Sequence, residues 1–300
     1  MRVLETDRPG IGRVAFAGDG RLLLATGVVN DLTVWDWVAG EPVLSIERCA
    51  SDTQPALSAD SQWLACFAPD FRIHRTDRAP PVITPFRGEP GAGDLAGAVA
   101  FSPDGKTLVA TQYVPHYDRR ESGRLLRWAT GTWKPLPGFA IWPPFDRLAY
   151  DRRGEFLAGI HPERFELRVA VTGGLSGWDR AGGNTGSKLM HLAFAPGGNL
   201  VAYGWHSVIK IMDTRSGKPM HVLTDSKRPF RDTAFTADGR RLATVSDDGT
   251  IAFWDVQTWS VIQRFDWQVG PLRCVAFSPD GACGVCGTAN GKLIVFDVEE

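Results

Sequence analysis

Seven near-copies of one short pattern run through this chain, and no other feature constrains its fold as tightly. The segments Arg13-Val14-Ala15-Phe16, Ala98-Val99-Ala100-Phe101, His191-Leu192-Ala193-Phe194, Asp232-Thr233-Ala234-Phe235 and Cys274-Val275-Ala276-Phe277 align on their last residue, and two degenerate copies end at Leu57 and Tyr150. The anchors 16, 57, 101, 150, 194, 235 and 277 are separated by 41, 44, 49, 44, 41 and 42 residues. The register continues within each unit. Three and four residues past the anchors stand Asp19-Gly20, Asp60-Ser61, Asp104-Gly105, Arg153-Gly154, Gly197-Gly198, Asp238-Gly239 and Asp280-Gly281. These are turn pairs, because Gly takes positive φ without steric cost and Asp tolerates it. Seven past the anchor the chain is apolar (Leu23, Leu64, Leu108, Leu157, Val201, Leu242), with Gly284 as the exception.

Each unit reads as short strands joined by turns, with no helical period. In the sixth, Arg231 to Phe235 and Arg241 to Val245 form the first two strands, Asp248-Gly249 the next turn, and Thr250 to Trp254 the third strand. At 300 residues the chain is long for one compact domain. A repeat architecture removes the difficulty, since each unit buries its faces against its neighbours and length grows by addition.

These residues resemble a known family. Ser246-Asp247-Asp248-Gly249-Thr250-Ile251-Ala252-Phe253-Trp254-Asp255 is similar to the second half of a WD40 repeat. Phe101-Ser102-Pro103-Asp104-Gly105 and Phe277-Ser278-Pro279-Asp280-Gly281 are similar to its first half. The Trp-Asp pair is complete at Trp35-Asp36 and Trp254-Asp255, and its positions elsewhere hold His74-Arg75, Trp128-Ala129, Val169-Ala170, Met212-Asp213 and Phe296-Asp297. The resemblance covers essentially the whole chain. It implies an all-β, seven-bladed β-propeller with four-stranded antiparallel blades. A single domain over residues 1–300 is expected, with blades near 11–46, 52–86, 95–139, 143–180, 187–225, 228–267, and 269–300 plus 1–8.

The His that such repeats often place before the first strand is missing here, so apolar packing is expected to hold the blades, with blades two and four the least regular. The last repeat ends three residues after Asp297, without room for a fourth strand. Arg2 to Thr6 matches the outer-strand segments Glu41 to Ile46 and Ser260 to Phe265, and is expected to close the ring.

Several function classes are disfavoured. The formal net charge is −1, so the overall basic excess of a nucleic-acid binder is absent. Five scattered Cys do not make a disulfide framework. Residues 1–6 lack the apolar stretch of a signal peptide, and no apolar run approaches a membrane span, so a cytoplasmic protein without membrane contact is expected. Gly91-Ala92-Gly93-Asp94-Leu95-Ala96 matches a dinucleotide-binding pattern, but a Pro-rich stretch precedes it and a strand follows, which makes it an inter-blade loop. Cys283-Gly284-Val285-Cys286 falls in a second strand, so both Cys read as structural thiols rather than a zinc or redox pair. His116, His161 and His206 occupy similar positions in successive blades, yet blades splay apart there and work against a shared metal. No nucleophile elbow, zinc-protease motif or P-loop is present. Neither a cofactor nor a metal is expected.

What remains is a binding face. The resemblance implies that the loops entering the first strand and leaving the second surround one mouth of the central channel. Those positions carry Arg13, Asp146, Arg147, His191, Arg231, Asp232 and Arg273, and the second-strand ends add Gln112, His161, Trp205, Ser246 and Thr288. Arg with aromatic residues is the usual composition of an interface centre. Arg13 and Arg147 stand one position out of step with Arg231 and Arg273, which predicts two different sheet faces, and Asp146 and Asp232 are placed to pair with neighbouring Arg. The connection from Gln112 to Arg124 is longer than its counterparts and contains Tyr113. The chain therefore reads as a non-enzymatic scaffold, monomeric on its own, binding an unknown protein or peptide through Arg13, Tyr113, Arg147, His191, Trp205, Arg231 and Arg273. The rival reading is a propeller hydrolase or lactonase with a metal in its channel, for which the register supplies only His191, Asp146 and Asp232.

Overall fold

The computed structural model describes residues 1–29, 31–49, 54–67, 71–77, 98–114, 122–141, 145, 147–161, 166–172, 179–181, 191–224 and 228–298. Its strands form seven separate antiparallel sheets, the blades of a seven-bladed β-propeller. Six sheets have four strands, and that of blade two has three among the described residues. The first strands are Ile11–Phe16, Ala56–Leu57, Val99–Phe101, Arg147–Tyr150, His191–Phe194, Phe230–Phe235 and Leu272–Phe277. Every one ends on its repeat anchor. Each touches the next in order, and the seventh returns to the first.

The turn chemistry explains why the register is so regular. After the anchors of blades two, three, six and seven, Ser58, Ser102, Thr236 and Ser278 donate to Asp60, Asp104, Asp238 and Asp280 at 2.5–2.6 Å. The same hydroxyls accept the N–H that opens the second strand, at 2.9–3.1 Å. In blade four Asp151 does both tasks, accepting from Phe156 N–H at 2.6 Å and Arg153 N–H at 3.1 Å. The fourth turn residue has positive φ throughout, 69–80° at Gly105, Gly154, Gly239 and Gly281 and 58° at Ser61, where blade two lacks the Gly.

The Trp-Asp pair divides its labour. Asp36, Asp213 and Asp255 accept backbone N–H groups of the following turn at 2.7–2.9 Å and so set the outer strand. The preceding residue fills space: Trp35, His74, Trp128, Val169, Met212, Trp254 and Phe296 are all buried. Burial is the common requirement, so the identity can drift. Trp254 Nε1 donates to Thr244 Oγ1 at 3.0 Å, whereas Asp248 caps Thr250 in its own turn. Gly284 breaks the apolar rule because a Cβ there would collide with the Phe296 ring.

The core lies between blades, not within them. Seven apolar clusters are present, one at each junction from blades one and two round to blades seven and one. The last junction depends on the N-terminal strand Arg2–Glu5, which pairs with Lys292–Asp297 in the register Arg2 with Val295 to Glu5 with Lys292. Leu4 is buried in that cluster, and Arg2 Nη1 donates to Val38 O of blade one at 2.9 Å. Deleting residues 1–8 is expected to lower Tm by about 5 °C or more, given the junction it opens. Unchanged melting of the truncated protein would contradict closure by this strand.

Candidate functional site

A recurring β-bulge builds the channel mouth. In blade one Ile11 pairs with Gly27 and Arg13 with Thr26, leaving Gly12 unpaired. In blade six Arg231 is skipped between Phe230 and Asp232, and in blade seven Arg273 is skipped between Leu272 and Cys274. A bulge sets two residues against one, so neighbouring side chains are re-aimed. Arg231 and Arg273 stand at the rim, and in blades one and six the residues one step past the bulge, Arg13 and Asp232, line the channel. Arg147, also three residues before its anchor, lines it too. Arg13 and Arg147 thus line the throat, whereas Arg231 and Arg273 meet at Asp247.

At the rim, Asp247 is shared. Its carboxylate pairs with the Arg231 guanidinium, and Arg273 Nη1 lies 3.3 Å from its Oδ1. Asp247 raises the Arg231 pKa above its usual value. The carboxylate that bridges the two rim Arg is Asp247, which sequence reasoning did not single out. It follows Ser246, the second-strand end already on the predicted face, so one further residue along that turn would have found it. Asp146 lies outside the described residues.

In the throat is a cavity of about 320 Å³ whose charged lining residues, among those described, are Arg13, Arg147 and Asp232. Asp232 accepts from Thr233 N–H at 2.9 Å and from Val275 N–H of blade seven at 3.1 Å, stapling two blades together. Burial raises its pKa, opposed first by the Val275 hydrogen bond and then by the charge of Arg147. Gln54 performs a second, longer staple. Its Nε2 donates to Leu148 O at 2.7 Å and its Oε1 accepts from Leu148 N–H at 3.0 Å, reaching from blade two to blade four. Gln54 shares the position three before the anchor with Arg13, Arg147, His191 and Asp232, and that register was the available signal.

The other predicted residues have different fates. His191 is fully buried (0% exposed), which corrects its placement on a partner-facing surface. Its ring lies against the Phe230 and Arg231 backbone of blade six. Trp205 ends the second strand of blade five (Leu200–Trp205), half-buried, with Lys210 Nζ 5.2 Å from its ring centroid. Tyr113 pairs with Gly123 in the second strand of blade three (Thr107–Val114), and its side chain lies outside the described residues. So do His116, the side chain of His161 and the segment Gly91 to Ala96. Cys286 is buried between blades six and seven, while Cys283 packs against the cluster between blades seven and one, so the two thiols face apart. Among the described residues no group of three His, Cys, Asp or Glu converges as a metal-ligand set.

Burial, reinforced by the charge of Arg147, pushes the His191 pKa down to about 3. The folded ring stays neutral while an unfolded His takes up a proton below its ordinary value near 6.5. Between these values the unfolded state binds more protons, so stability falls as pH falls. His191 alone accounts for about 2 kcal/mol between pH 7 and pH 5. His191→Gln is expected to flatten that pH dependence in urea melts. An unchanged slope would show that His191 charges freely in the folded protein.

The known proteins that resemble this chain agree with the geometry. The family model "WD domain, G-beta repeat" matches residues 217–255 and 259–297. Each window runs from the outer strand of one blade through the third strand of the next, so the sequence repeat is offset from the blade by one strand. That offset is the one Arg2–Glu5 makes good in blade seven. The chain is 34% identical over 103 residues to the DENN domain and WD repeat-containing protein SCD1 of Arabidopsis thaliana, covering 34% of this chain and 8% of that protein. It is 27% identical over 110 residues to the WD repeat-containing protein SL1-17 of Schistosoma mansoni, covering 36% of each. It is 36% identical over 93 residues to Autophagy-related protein 18 of Meyerozyma guilliermondii, covering 30% of this chain and 16% of that protein. The alignments thus span well under half the length of these relatives. Residues 217–255 and 259–297 match WD40 repeats, and the seven blades in repeat register make the rest of the chain similar to that family.

Proposed function

We propose that this chain is a non-enzymatic scaffold that binds a peptide or protein partner on the loop face, at the mouth of the channel. Similarity to WD-repeat proteins supports a protein-interaction role in general terms. The observation that carries the finer reading is the Arg231–Asp247–Arg273 cluster at the rim above a throat bearing Arg13 and Arg147. Guanidiniums half-buried and oriented by a shared carboxylate lose little freedom when a partner arrives, which suits an interface anchor. The rival metal-dependent enzyme is less well supported by this lining, since two guanidiniums repel a cation and both oxygens of Asp232 already accept backbone N–H groups.

Affinity purification from the native cell tests the reading. Arg147→Ala/Arg231→Ala/Arg273→Ala is expected to lose partners that wild type retains. Arg215→Ala lies in the turn after the third strand of blade five, at the opposite end of the ring, and is expected to keep them. Identical partner sets for wild type and the triple variant, with matching melting curves, would contradict the proposed face.

A further inference from the structure

The channel mouth carries a charge excess that narrows the partner's chemistry. The throat lining and the Asp247 cluster, among the described residues, bring together four guanidiniums (Arg13, Arg147, Arg231, Arg273) and two carboxylates, Asp232 and Asp247. The whole chain has a formal net charge of −1, so this group of side chains departs in sign from the molecule. Each guanidinium carries five N–H donors. The carboxylates are heavily committed: Asp232 accepts two backbone N–H groups, and Asp247 serves two Arg at once. The mouth is therefore richer in donors than in acceptors, at two depths, rim and throat.

The cavity also limits the shape of what enters. About 320 Å³ takes one or two side chains, whereas a helix, about 10–12 Å across, does not fit. An anionic side chain entering the throat exchanges water for oriented guanidiniums in a medium of reduced dielectric, where charge-assisted hydrogen bonds are strong. Resting on the scaffold reading above, we infer that the mouth is a receptor for an extended acidic peptide segment. One acidic side chain enters the throat against Arg13 and Arg147, and another lies on Arg231 and Arg273 at the rim. Asp247 acts as a built-in competitor: it holds the rim Arg in place and subtracts from the charge offered to the ligand.

Fluorescence anisotropy with a short labelled peptide of alternating glycine and glutamate tests this directly. Binding that weakens with salt is expected, along with a loss of about tenfold or more in Arg147→Gln and in Arg231→Gln/Arg273→Gln. Arg215→Gln is expected to bind as wild type. Asp247→Asn is expected to bind about threefold tighter or better, since one competing charge is gone. A damaged fold weakens binding and does not tighten it, so this variant keeps the test meaningful if the Arg variants melt early. Weaker or unchanged binding by Asp247→Asn overturns the inference, as does wild type that fails to bind the glutamate peptide. Preference for the lysine counterpart, or for oligothymidylate sensitive to the same Arg variants, overturns it as well. If the native-cell purification still loses partners in the triple variant, the scaffold reading survives and only the acidic chemistry fails.

Discussion

Each blade of this protein is a small sheet with two apolar faces, and neither face is buried until another blade covers it. Among the described residues, the seven clusters at the seven junctions are the stabilising core, and no blade has one of its own. Such an arrangement leaves two bare faces if the ring is open and none if it is closed. The one-strand offset between repeat and blade therefore matters energetically. With Arg2–Glu5 as the outer strand of blade seven, the junction between blades seven and one gains Leu4 as well as a ladder of backbone hydrogen bonds.

The same closure shapes the functional face. First strands line the channel edge to edge with no further strand to pair their inner backbone groups, and side chains take over that task. Asp232 satisfies the Val275 N–H, and the Gln54 amide satisfies both the N–H and the carbonyl of Leu148. The bulges that skip Arg231 and Arg273 release the ladder just where the Asp232–Val275 staple begins. Structure and binding surface are thus made from adjacent residues of one strand: Arg231 faces the rim while Asp232 holds blade to blade. Buried polar groups that are fully paired confer geometric specificity, and here they fix the positions of the Arg around them.

Much of this was readable from the chain alone because it is local. The anchors, the Asp-Gly turns and the apolar seventh position follow from turn chemistry and alternation within a few residues, and every first strand ends on its anchor. The irregularity of blade two was foreshadowed by its degenerate copy, and its first strand is only Ala56–Leu57. What escaped was the side-chain contacts between blades. Asp247 meets Arg273 across a junction, Gln54 crosses past blade three, and His191 is sealed by the neighbouring first strand. Such contacts depend on how far each blade rotates relative to the next, and no single repeat encodes that. Trp205 was placed on the right turn but already packs against Lys210, a partner on the adjacent strand.

Hydrogen exchange on the intact protein, read amide by amide, bears most directly on the claim that side-chain staples across junctions hold a closed ring. The Val275 and Leu148 amides sit on strand edges facing the channel, where an unpaired N–H exchanges as fast as a loop. Both are expected to exchange as slowly as amides in the middle of the blades, and Leu293 and Val295 beside the N-terminal strand to do the same. Fast exchange at Val275 and Leu148, with slow exchange elsewhere in blades four and seven, would contradict it.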